Sequence, residues 1–119
     1  HKMEKMVAVQ KRLENALLIL AEDADIQERR RRIYHECLSQ ITLGDLPWVL
    51  RRDYYRLLSL TNMLYRGINT ANGHTDVMVS GDRQEMATAL PDTLLLLLKR
   101  LTEWMAVESY LRSQPHAMS

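Results

Sequence analysis

Between Glu4 and Glu22 the apolar residues Met6, Val9, Leu13, Ala16, Leu17 and Leu20 recur every three or four positions, the spacing of one stripe along a helix. The stretch DIQERRRRIYHECLSQI continues the pattern with Ile26, Ile33, Cys37 and Ile41 facing inward, and Asp25 and Glu28 stand at capping-box spacing ahead of it. Gly44 in TLGD predicts the end of this second helix, and Asp45 offers an N-cap for the next. A third helix is expected from Leu46 to Tyr65, with Leu46, Leu50, Leu57, Leu60 and Leu64 on its inner side.

The helical period lapses over residues 67–81, GINTANGHTDVMVSG, which hold three of the chain's four glycines. The Asn-Gly pair suits a tight turn, predicting a small hairpin in which Ile68-Asn69-Thr70 pairs with Thr75-Asp76-Val77. Asp82 and Glu85 mark a second capping box opening a short helix through Leu90. Pro91 marks the start of the last helix, which reaches Arg112 and leaves residues 113–119 as a flexible tail. The expected fold is all-α: a single domain over residues 1–119, a four- to five-helix bundle with one irregular loop or small hairpin near residues 67–81. Residues 1–3 read as an expression remnant.

Two segments carry more apolar surface than one stripe needs. Wound at about 100° per residue, the five leucines of DTLLLLLKRL separate. Leu94, Leu97 and Leu98 join Leu101, Trp104 and Met105 on a core face. Leu95 falls beside Thr102 and Ala106, small residues that let another helix approach closely. Leu96 falls nearly opposite the core with Arg100, Glu103 and Val107. In ALLIL, Leu18 and Ile19 leave the stripe of Leu17 and Leu20 in the same way. A helix apolar all round is covered on more than one side. Leu18, Ile19, Leu95, Leu96 and Val107 are therefore expected in a homodimer interface built from the first and last helices; the alternative is that neighbours within the bundle cover them. A bilayer-spanning helix needs roughly 20 apolar residues, so no membrane role is expected.

The composition is that of a soluble globular domain, 46% hydrophobic and 26% charged, with a formal net charge of +1 that gives no general attraction for nucleic acid. Cys37 is the one cysteine and excludes an intramolecular disulfide, which suits a cytoplasmic location. Phosphate-binding, dinucleotide-binding and nucleophile-elbow motifs are absent from the sequence, and His35, Glu36 and Cys37 are consecutive and so diverge on a helix. His74 and Asp76 supply only two ligands where a metal site takes three or four. No catalytic residue, metal or cofactor is expected, and the chain reads as a non-enzyme.

Charged residues interrupt three apolar stripes: Arg30, Asp53 and Glu108. A structural ion pair between Arg30 and one of these carboxylates is expected, because a lone buried charge is very costly. The other three arginines of the run Arg29 to Arg32 are expected to face solvent. On the third helix, Trp48, Arg51, Arg52, Tyr55, Asn62 and Arg66 lie opposite the leucines, and Trp, Tyr and Arg are the residues enriched at binding hot spots. Trp48, Arg51, Arg52, Tyr55 and Arg66 are the expected partner-binding residues. The function this supports is a small regulatory or adaptor protein, an inhibitor, chaperone or adaptor of a regulator, binding another protein as a homodimer. The alternative is a helix-turn-helix-like DNA-binding transcriptional regulator, with Arg51, Arg52 and Tyr55 near the groove.

Overall fold

Each apolar stripe needs a neighbour to cover it, and the fold answers with four helices and no strand among the described residues. A computed structural model describes the backbone of residues 2–69 and 73–114 and the side chains of residues 2–61 and 88–114. Helix α1 is Lys2–Leu20, α2 is Ile26–Arg32, α3 is Arg51–Asn69 and α4 is Gly73–Arg112. Helix α4 packs against both α1 and α3, and α2 packs against α1 and α3. Gln10 Nε2 donates to Thr102 Oγ1 at 3.0 Å, and Arg100 Nη1 donates to Asp53 Oδ2 at 2.7 Å. One side of α4 therefore faces α1 and the other faces α3. The core joins Met6, Val9, Leu13 and Ala16 of α1 to Leu57 and Leu60 of α3 and to Leu90, Leu94, Leu97 and Leu101 of α4.

Local chemistry explains the first turn of the chain. Asp25 caps α2, its Oδ2 accepting from the backbone N–H groups of Gln27 at 3.1 Å and Glu28 at 3.3 Å. The Glu28 side chain turns instead to Arg31. Arg29 Nη1 donates to Leu20 O, satisfying one of the carbonyls that the end of α1 leaves open.

The second helix is shorter than its stripe predicts. After Arg32 the backbone widens into a π turn over Ile33–Cys37 and then tightens into a 3₁₀ turn over Leu38–Gln40. Cys37 and its neighbour Leu38, on either side of this shift, are both buried in the core. Asp45 does not cap α3. It closes a 3₁₀ turn at Leu43–Asp45, after which Leu46 is extended because a residue preceding proline is forced out of the helical region. Pro47 then leads through a 3₁₀ turn, Trp48–Leu50, directly into α3.

Tyr54 ties this irregular segment down. Its buried hydroxyl lies 2.8 Å from Leu38 O and 3.1 Å from Ile41 O and donates its proton between them. Burial pushes the phenol up to about 12. Below about pH 10 the folded and unfolded chains both keep this proton; above it the unfolded chain releases its proton first, so stability falls as pH rises from about 10 to about 12. Tyr54→Phe is expected to cost about 1 kcal/mol at neutral pH and to flatten that alkaline decline, as read from thermal midpoints across the range.

The expected hairpin is not formed. Ile68-Asn69 belongs to α3 and Thr75-Asp76-Val77 to α4, with residues 70–72 outside the described residues. An isolated two-stranded hairpin is marginal in water, whereas a continued helix satisfies its own backbone. Nor does Pro91 open a new helix. It lies inside α4, where its missing N–H removes one bond of the ladder, and the short helix expected from Asp82 is part of the same element. The side chains of Arg66, Asn62, His74, Asp76, Asp82 and Glu85 lie outside the described residues. At the other end Ser113 still donates through its N–H and Oγ to the carbonyls of α4, and residues 115–119, like His1, lie outside the described residues.

Candidate functional site

The extra apolar surface of α1 and α4 resolves into three environments. Ile19 is core, at 6% exposure, contrary to the expected interface role, because α2 packs along α1 and extends the covered arc beyond the stripe. Leu18, at 67% exposure, stands outside. On α4 the exposed residues separate by side. Leu95, Thr102 and Ala106 lie on the flank toward α1, where Thr102 meets Gln10. Leu96 and Val107 lie with Arg100 on the flank toward α3. The four exposed members of the expected dimer interface thus belong to two surfaces, not one.

The second of these surfaces runs into the face expected on α3. Trp48 is 75% and Tyr55 55% exposed, and Arg52 is exposed beside them. Arg51 is half-buried, its Nε donating to Leu46 O at 3.3 Å across the turn made by Pro47. At this end of the bundle two clefts of about 320 Å³ each share Trp104 as a wall. One is lined by Met6, the Gly44–Trp48 segment, Arg51 and Glu108; the other by Leu50, Arg100, Glu103 and Val107. Val49 is exposed at the entry to α3, and Tyr110 and Leu111 are exposed on the last turns of α4 beyond the clefts.

Trp104 and its clefts are what the sequence missed. Its helical position falls with Leu97 and Leu101, and at the middle of the bundle it would be buried. α1 begins, and α3 is entered, beside the last turns of α4, so the core thins and the indole becomes only partly covered. The one available signal was a core-phase tryptophan close to a predicted helix end.

The charged residues are engaged differently from expectation. Arg30 is buried at 1% exposure, as its place on the stripe implies. Of the two expected carboxylates, Asp53 bonds Arg100, and Glu108 lies 3.7 Å from Arg112 one turn along α4. The antiparallel pairing of α3 with α4 brings Arg100 to Asp53. Arg29 is spent on the end of α1, Arg31 on Glu28, and Arg32 on both Glu22 and Glu36 at 2.5 and 2.9 Å. Hydrogen bonds from Arg31 and Arg32 hold the Glu28 and Glu36 carboxyls below the usual carboxylate range. Two of the four arginines, Arg31 and Arg32, are therefore neutralised by carboxylates within the chain, Arg30 is buried, and the run makes a poor phosphate-binding surface.

The helix-turn-helix layout is not present either. α2 and α3 are separated by a π turn and three 3₁₀ turns, where that motif has a turn of about 3–4 residues. Cys37 is buried, and burial pushes its thiol up, which suits a packing role over a reactive one. Among the described residues no group of three or more His, Cys, Asp or Glu gathers as a metal site, and no helix is long and apolar enough to cross a membrane. No family model, curated protein or solved structure matches the chain.

Proposed function

We propose that the protein is a non-enzymatic regulatory or adaptor protein, an inhibitor, chaperone or adaptor of a regulator, that acts as a homodimer by binding another protein at the end of the bundle around Trp104. The carrying observation is the 75% exposure of Trp48 at the rim of an open cleft. An exposed indole beside Tyr55 and Arg52, with Val49, Val107, Tyr110 and Leu111 exposed at the same end, has the composition of a hot-spot surface. Isolated exposed apolar side chains are ordinary on any protein; a group of this size around concave walls is what a partner covers. The mixed charges of Arg51, Asp45, Glu103 and Glu108 suit a polar protein rim better than a polyanion.

The test is affinity capture from the source cells with the intact chain and with Trp48→Ala as parallel baits. The expected result is a protein retained by the first and lost from the second. Identical retention by both baits contradicts the reading.

A further inference from the structure

The surface of α1 away from the core has its own repeat. Val7, Lys11, Glu14 and Leu18 follow one another at spacings of four, three and four, an outward stripe on a helix whose inner stripe is already buried. Lys11, Glu14 and Leu18 are exposed and Val7 is half-buried. Neither Lys11 nor Glu14 forms an ion pair within the chain among the described residues. The stripe is its own complement when reversed. If a second α1 lies antiparallel across it, centred between Arg12 and Leu13, Val7 meets Leu18 and Lys11 meets Glu14, each pair occurring twice.

We propose that this stripe is the self-association surface, with a second copy of the chain as its occupant and the twofold axis crossing α1 between Arg12 and Leu13. The proposal rests on the homodimer reading above and specifies its geometry. Charge complementarity names the occupant: an isologous contact requires that a residue and its opposite exchange roles, and the pairs Lys11–Glu14 and Val7–Leu18 do so. A parallel arrangement of the same stripe would set Lys11 on Lys11 and Glu14 on Glu14. The adjoining flank of α4 widens the contact. The Gln10–Thr102 bond joins α4 to α1, and Leu95 and Ala106 continue the exposed surface without a charged group at those positions. Two helices side by side approach the roughly 800 Å² per partner of a standard interface better than α1 alone. Trp48 and Tyr55 are not among the residues of this contact, which leaves them to another protein in the dimer.

Sedimentation equilibrium of the full chain at micromolar concentration tests this with two charge reversals at exposed positions. The unmodified chain is expected to be a dimer. Lys11→Glu places Glu opposite Glu twice and Glu14→Lys places Lys opposite Lys twice, so each variant alone is expected to dissociate at least about tenfold more readily. An equimolar mixture restores opposite charges at every pair and is expected to recover the association, which also shows that both variants are folded. A monomeric unmodified chain overturns the homodimer reading and this geometry with it. A dimer that is indifferent to both reversals, or a mixture that fails to recover, overturns the geometry alone.

Discussion

Leu97→Ala is expected to lower the unfolding free energy by about 2–5 kcal/mol, whereas Leu96→Ala, one residue earlier in the same run, is expected to change it by less than about 1 kcal/mol. The two side chains are chemically identical, so the difference reports environment alone. Leu97 is fully buried where α4 meets α1 and α3, and truncating it removes apolar contact on all sides and leaves a cavity that rigid helical neighbours fill only partly. Leu96 is 43% exposed on the flank toward α3, and truncating it removes contacts from one side only. Chemical denaturation of the two variants beside the unmodified chain checks the pair. Equal losses would mean that Leu96 is as covered as Leu97.

That contrast is also what was legible in the sequence. Phase along a helix sorted Leu94, Leu97 and Leu101 into the core and put Leu18, Leu95, Leu96 and Val107 outside it, as the structure has them. Phase knows only the helix it is read from. Ile19 was misplaced because its cover comes from α2, and the separation of Leu95 from Leu96 into two surfaces depends on which neighbour lies on each side of α4. The stretch from Ile33 to Leu50 kept its buried residues Ile33, Cys37, Ile41, Leu46 and Leu50 but not its expected regular helices. There a π turn, three 3₁₀ turns and Pro47 decide the path, and their hydrogen bonds, notably from Tyr54 to Leu38 and Ile41, join residues far apart in sequence. The glycines around the Asn-Gly pair pointed to a hairpin, but a turn propensity acts over four residues and does not outweigh two helices that satisfy their own backbone.

At the proposed partner site, Trp48→Ala is expected to weaken binding by about 2 kcal/mol or more while barely moving the thermal midpoint. The asymmetry follows from where the indole sits. With three quarters of its surface in water, it contributes little to the fold, but a partner that covers it desolvates a large rigid side chain at small entropic cost. Tyr55→Ala is expected to act in the same direction and less strongly if the partner centres on Trp104, since Tyr55 does not line either cleft. Arg52→Ala, at the exposed rim, is expected to change association rate and salt dependence more than residence time.

The central claim, that the Trp48 end of the bundle is the working surface, is tested most directly by titrating the captured partner into the unmodified chain and into Trp48→Ala under the same conditions. The predicted result is a dissociation constant raised by about 30-fold or more for the variant, with a thermal midpoint within about 2 °C of the unmodified chain. An unchanged dissociation constant, at equal stability, would contradict it.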